Sequence, residues 1–264
     1  NNPDHFVTLR QHILQNFKDL PEMCEYMNRG IFNTAEQYGK DVFLSIKHLG
    51  TARLPKFYAF KARVENTLNK ISFLPKFIPD LFLYYVSRIF PQHLPQQMLE
   101  YRDKYEYYLI LSMTDEGIDE ARAYLANVWS KIEGVEYFEC TEKEQEAALL
   151  HRFAAAGAAI RYQNLHQSTS EEVLALDIAL LGNDPEWVEE LPPEITENLD
   201  LALYYGHYMC HVFHQDYIFK KGTDIAQMKR LMLERLDGKG AKYPADHNVG
   251  HMYEAEETLK AFYE

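Results

Sequence analysis

The 264-residue sequence holds only three cysteines and two tryptophans. Cys24, Cys140 and Cys210 are far apart and odd in number, which excludes a disulfide framework and reads as reduced, cytosol-facing thiols. No apolar run is long: the strongest, LFLYYV at 81–86, is followed by Arg88, far short of the ~18–20 apolar residues a membrane span requires. The first residues, NNPDHFVTLRQ, lack the charged-then-apolar order of a secretory signal. Basic charge is in deficit, with 27 Lys and Arg against 40 Asp and Glu, a net of −13. A surface of that sign repels a polyanion, which excludes a protein coated in nucleic acid. These shortages predict a soluble chain, or one that rests on a membrane without crossing it.

What is present is ordinary in bulk and uneven in detail. Hydrophobic residues make up 47% and charged residues 25%, enough apolar content at this length to bury a real core. Between positions 47 and 94, the basic residues Lys47, Arg53, Lys56, Lys61, Arg63, Lys70, Lys76 and Arg88 are set against only Glu65 and Asp80. That stretch carries +6 and the remainder −19. It also holds nine aromatics, and Pro55, Pro75, Pro79, Pro91 and Pro95 cut the region into short pieces. A basic, aromatic, proline-broken segment in an acidic protein reads as an insertion with its own task. Solvated helices alone would not require such segregation. Lys and Arg mixed with Phe and Tyr suit an anionic lipid surface, at ~1 kcal/mol per basic residue. Single-stranded nucleic acid suits the same mixture by stacking. No nucleic-acid motif accompanies it and the acidic remainder opposes it, so no nucleic-acid partner is expected.

On either side of this segment helical and strand-like patterns alternate. TLRQHILQNF (8–17) reads as a short helix, with Leu9, His12, Ile13 and Phe17 at helical spacing. YEYYLILSM (105–113) and VEYFEC (135–140) read as strands. Between them, Ile118, Ala121, Leu125, Val128 and Ile132 form one helical stripe. Thr141 and Glu144 in TEKE make a capping box that opens a long Ala-rich helix. VLALDIAL (173–180) is a buried strand or a helix turn, which period alone does not decide, and LPPEI is a break. DIAQMKRLMLERL (224–236) is a helix ended by DGKG. Together these patterns predict an α+β fold, one sheet with helices on one face.

YYGHYMCHVFHQDYIF (204–219) reads as one long strand that carries three histidines. On a strand, His207 and His211 share a face and His214 points to the other; on a helix, all three share a side. A site made of these three alone is disfavoured, and a satisfied polar patch near a sheet edge wins on spacing. YPADHNVGH adds Asp246, His247 and His251 after the following helix, an acid–histidine pair that a folded site can gather.

Several long strings carry a resemblance: EYMNRGIFNTAEQYGKDVFL, LLHRFAAAGAAIRYQ, LPPEI, LYYGHYMCHVFHQDYI and YPADHNVGHMY. In them the chain resembles the C-terminal half of the bacterial respiratory, quinone-dependent D-lactate dehydrogenases, FAD flavoproteins of the vanillyl-alcohol-oxidase-like group. The resemblance covers nearly the whole chain. It implies an antiparallel flavoenzyme cap sheet formed by residues 1–46 and 105–264, with 47–104 as a mainly helical, basic membrane-binding insertion. No FAD-binding domain is present in these residues, so the chain is expected to be a fragment, inactive alone, of an enzyme that oxidises D-lactate to pyruvate.

By the same resemblance Arg152, in HRF, clamps the substrate carboxylate, a task suited to a planar fork. Arg161 reads instead as a surface or helix-capping arginine. His247 takes the place of the general base. His207, His214 and Asp246 take the place of ligands to a divalent metal, with the shorter Asp246 where the related enzymes have Glu and YMCHVF where they have a Gly-Asp-Gly-Asn run. Hydride passes to the flavin and electrons to a membrane quinone, at an anionic lipid surface on the cytoplasmic face of the inner membrane. The rival reading is a non-catalytic membrane-association module.

Overall fold

The capping box forms as its spacing predicts. In the computed structural model, which describes residues 3–17, 20–71, 77–182, 184 and 189–245, the Glu144 carboxylate accepts from the Thr141 N–H at 2.9 Å and the Thr141 hydroxyl accepts from the Glu144 N–H. Two of the orphan donors of a helix start are thereby satisfied. The remaining helices are α1 (Pro3–Asn16), α2 (Arg29–Tyr38), α3 (Lys40–Leu49), α4 (Leu54–Leu68), α5 (Ile78–Ile89), α6 (Gln96–Lys104), α7 (Ile118–Asn127), α9 (Pro193–Thr196) and α10 (Ile225–Gly238), with the capped helix, Glu142–Leu165, as α8. The segment 47–104 is mainly helical, and its first residue lies inside α3.

Five antiparallel strands, β1 (Pro21–Asn28), β2 (Tyr107–Met113), β3 (Leu174–Ala179), β4 (Leu199–His207) and β5 (Val212–Phe219), form one sheet in the order β2-β1-β4-β5-β3. The α+β class and the single sheet are as the sequence predicts. The layer of α2 and α8 lies on one face, where Ile31, Ala35, Ala155, Ala158 and Ala159 meet Met27, Leu203, Tyr205 and Ile218. The opposite face is covered too. Leu9 and Ile13 of α1, with Phe17 just past its end, join Met228, Met232 and Leu236 of α10 against Tyr26, Leu176, Phe213 and Tyr217. A third cluster, with Phe32, Phe43, Ile46, Leu94, Met98 and Ala154, ties the base of the basic segment to α8. α8 can lie close because its inner face is alanine, and at Gly39 the approach leaves no room for a side chain: a Cβ there would lie 3.0 Å from the Ala154 carbonyl.

Four local expectations change. The stretch 204–219 is not one strand but two, folded back through a turn at Tyr208–His211, with His211 in the left-handed region at φ 54°. Gly206 makes the fold-back feasible, since a Cβ there would come within 2.3 Å of the Val212 carbonyl oxygen. VEYFEC forms no strand. Its acidic residues are drawn to basic partners, Glu136 to Lys104 and Glu139 to Arg122, and Phe138 meets Tyr101 edge to face. The helix read through 118–132 stops at Asn127, where Trp129 turns into the core and leaves Ile118 and Val128 exposed. VLALDIAL resolves as strand β3, paired along β5 from Leu174↔Tyr217 to Ala179↔Val212.

Candidate functional site

Side chains on a strand alternate between faces. Leu203 and Tyr205 of β4 and Ile218 of β5 point toward α8, so His207, two residues beyond Tyr205, and His214, four before Ile218, point there as well. The hairpin thus reverses the expectation from a single strand. His207 and His214 are neighbours, with ring centroids 5.7 Å apart. His211 is the one set aside, buried at the turn with Nδ1 3.1 Å from the Leu181 carbonyl. Burial, followed by the charge of Arg10, lowers its pKa.

Each of the two neighbours is held by a carboxylate that spacing did not single out. His207 Nδ1 lies 2.7 Å from Glu25 Oε1, and His214 Nδ1 lies 2.5 Å from Asp177 Oδ1. Antiparallel register sets both pairs, placing Glu25 opposite His207 and Asp177 opposite His214. A carboxylate only accepts, so a neutral ring bonded this way carries its proton on Nδ1 and keeps a lone pair on Nε2. Arg152 reaches the same face from α8. Its Nε donates to Glu25 Oε2 at 2.8 Å, and its guanidinium carbon lies 4.8 Å from the centre of the Tyr205 ring. That bond uses Nε, and the paired Nη edge is the side a second carboxylate would take.

Asp216 is buried beside these groups. Burial pushes its carboxyl up to about 6, the charge of His214 opposes the rise and that of Asp177 adds to it. Burial also drives the Tyr205 phenol well above its ordinary value. Signals for the missed acids exist in the sequence: Glu25 and Asp177 are lone charges inside otherwise apolar strand runs, where a buried charge demands a partner.

Asp246 and His247 lie outside the described residues. The last described residue, Ala245, donates its N–H to the Asp177 carbonyl at 3.0 Å. The described chain therefore ends alongside β3. Among the described residues no three His, Cys, Asp or Glu side chains converge to hold a metal ion. The two histidines fit such an ion nonetheless, because a carboxylate on Nδ1 is the usual support for an imidazole that ligates through Nε2.

Arg161 is not a surface or capping residue. It is buried, with Nη2 2.8 Å from Asp41 and Nε 2.9 Å from Asp80. Asp80 also binds Lys61 at 2.6 Å and accepts from Asn164 at 3.0 Å. Lys61, expected at the lipid surface, is thus engaged within the protein. Burial raises the pKa of Asp41 and the charge of Arg161 pulls it back. This network joins α8 to α3, α4 and α5.

The rest of the basic segment is outward. Arg53, Lys56, Arg63 and Lys70 are exposed, Lys47 is exposed and lies 3.3 Å from Glu146, and Lys76 falls outside the described residues. Arg88 bonds the Tyr84 hydroxyl at 2.6 Å. On α5 and just past it, Phe82 and Tyr85 are each 63% exposed, Ile89 83% and Phe90 52%, and Phe60 of α4 is 65% exposed. Among the described residues no helix is long and apolar enough to cross a membrane.

A family model described as D-lactate dehydrogenase, membrane binding, matches residues 1–264. The chain is 51% identical over 263 residues to the quinone-dependent D-lactate dehydrogenase of Escherichia coli (strain K12), covering 100% of this chain and 46% of that protein. Its counterpart in Haemophilus influenzae is 51% identical over 255 residues, covering 97% and 45%. That of Corynebacterium glutamicum is 34% identical over 261 residues, covering 98% and 46%. The chain spans about half the length of the curated relatives it matches.

Proposed function

The chain belongs to the membrane-binding family of D-lactate dehydrogenases, and from that premise we propose that it is the cap and membrane-docking part of a larger enzyme that oxidises D-lactate to pyruvate and passes the electrons to membrane quinone. The observation that carries this reading is the pair of carboxylate–imidazole contacts, Glu25–His207 and Asp177–His214, on one face with Arg152. A 2-hydroxy acid needs a clamp for its carboxylate and a base for its hydroxyl proton. Arg152 binds the carboxylate through its Nη edge, and the Tyr205 ring and Glu25 hold the guanidinium in place. His247, which follows Ala245 by two residues, takes the hydroxyl proton. His207 and His214, with Asp246, are the residues that would hold a divalent ion, which would supply Lewis-acid polarisation of that hydroxyl.

Among the described residues no cluster of glycines opens a helix to receive the phosphates of FAD. We assign it to the part of the protein outside these residues, where it accepts the hydride when bound. This chain's share is to position lactate, shield it from water and move the proton.

Docking is peripheral. Arg53, Lys56, Arg63 and Lys70 meet anionic headgroups on the cytoplasmic face of the inner membrane, while the exposed α5 aromatics sit at the interface. The test uses the intact enzyme: His247→Ala should lower turnover far more than His211→Ala, and elemental analysis should find one divalent ion per chain. Equal effects would remove His247 as base, and absence of stoichiometric metal would retire the ligand role of His207 and His214. The rival, a purely membrane-associating module, predicts no loss of turnover from any substitution on the Arg152 face.

A further inference from the structure

A cleft of about 340 Å³ opens at the α2–α3 corner, between Glu36, Lys40, Arg88, Gln92 and His93. It is distinct from the Arg152 face, and a volume near 300 Å³ is the lower end of small-molecule sites. Its wall is rich in donors. Lys40 bonds the Phe90 carbonyl at 2.6 Å, which leaves two ammonium protons, and the two ring nitrogens of His93 are buried beneath the wall without a hydrogen-bond partner among the described residues. Burial, then the charge of Lys40, pushes the His93 imidazole down to about 4, so near neutral pH the ring beneath Lys40 is uncharged.

Two neighbours define what this cleft is beside. Arg88, in its wall, is flanked on α5 by the exposed Tyr85 and Ile89, and Phe90 follows. An apolar, membrane-facing stripe thus borders a polar recess. Behind it, the His93 ring lies 6.4 Å from that of His151, whose chain neighbour on α8 is Arg152. One helix separates the recess from the proposed lactate site.

We propose that this cleft seats the head of the membrane quinone, with Lys40 donating to a carbonyl oxygen and the Tyr85–Ile89–Phe90 stripe leading its isoprenoid tail to the bilayer. The proposal rests on the reading of the chain as part of a quinone-reducing D-lactate dehydrogenase. Glu36, in the same wall, is paired with Arg102 and accepts from Gln92, so an anionic headgroup at Lys40 is the alternative that vesicle binding separates from a neutral dicarbonyl ring. The second cleft, of about 400 Å³, sets Glu171 and Glu172 beside Phe77 and Ile225, with Lys221 as its one cation. The electrons balance: oxidation of D-lactate to pyruvate releases two electrons and two protons, and reduction of the quinone to quinol takes up two of each.

The experiment uses the intact enzyme in detergent with a short-chain ubiquinone, compared with an artificial dye acceptor. Lys40→Met and Gln92→Leu should each raise KM for the quinone tenfold or more while dye-linked lactate oxidation stays unchanged. A photoactivated azidoquinone should label residues 85–93 of the wild-type protein. Unchanged quinone KM in both variants, or labelling confined to another region, overturns the proposal. So does loss of vesicle binding without a change in quinone KM, which would mark the cleft as a headgroup site. A wild-type enzyme that fails to oxidise D-lactate even with the dye would instead sink the functional reading on which the proposal stands.

Discussion

The Arg152 face and the α4–α5 arm are built on opposite rules. On the face, charged groups are half-buried or buried, and each is tied to a partner: Glu25 holds both His207 and Arg152, and Asp177 holds His214. On the arm, α4 buries no residue at all, and large apolar side chains stand in solvent beside the exposed cations Arg53, Lys56 and Arg63. A site that must orient a small anion benefits from groups fixed before it arrives. A surface whose partner is a fluid bilayer gains nothing from fixed geometry and needs only area and charge. The two regions are joined through α8, whose Arg161 enters the Asp41–Asp80–Lys61 network.

The strongest way to break the comparison is to disable the face and leave the arm alone. In the intact enzyme, His247→Ala should cut turnover on the order of 10²–10⁴-fold with vesicle sedimentation unchanged, a result read by steady-state kinetics beside a binding assay. Next is the junction. Arg161→Met should destabilise the protein by about 3–5 kcal/mol, because Asp41 and Asp80 stay buried without their cation, and chemical denaturation measures the loss. Intermediate in size is a pH effect. The folded-state pKa values of His93 and His151 are lowered to about 4 and about 3 from 6.5. The unfolded chain therefore binds more protons below 6.5, and stability should fall as pH drops from there toward 4. Asp216, raised to about 6, acts in the opposite direction over the lower part of that range. His151→Phe should flatten the acid slope, and an unchanged slope in thermal melts would remove His151 as its source.

The arm itself should respond in smaller, additive steps. Replacing Lys56 and Arg63 with Glu should weaken binding to phosphatidylglycerol vesicles, about 1 kcal/mol for each charge lost and more for reversal, and high salt should narrow the difference. Ile89→Ser should reduce the fraction that survives high salt and leave dye-linked turnover intact. The smallest effect lies far from both regions: Thr141→Ala should cost about 1 kcal/mol by removing the α8 cap.

Much of this division is legible in the sequence. The capping box announces α8, helical spacing gives α1 and α10, and charge segregation marks the arm. What escapes is set by contacts between distant segments. The hairpin at 208–211 turns on His211 at positive φ, with neither Asn-Gly nor Asp-Gly to signal it, so one strand is read where there are two and His207 and His214 appear on opposite faces. Glu25 and Asp177 become partners only through strand register. VEYFEC has strand-like residues but no strand beside it, and Arg161 looks like any helical arginine until α3 and α5 fold over it. Local pattern reports what a segment prefers; these positions are decided by what lies across from it.

The alanine face of α8 has a mechanical consequence. Alanines at 147, 148, 154, 155, 158 and 159 make a smooth rail, with few knobs to interlock with the layer beneath and resist sliding. Two ionic pins help to fix its axial position, Arg152 in Glu25 and Arg161 in Asp41 and Asp80, beside the bonds of Asn164 to Asp80 and Tyr162 to Asp200. The pins stand nine residues apart, ~13 Å along the axis and half a turn out of phase. One is driven into the sheet and the other into the arm. Drawing the second pin removes the ionic restraint on the arm side, and play there is delivered as a change of reach at the Arg152 guanidinium.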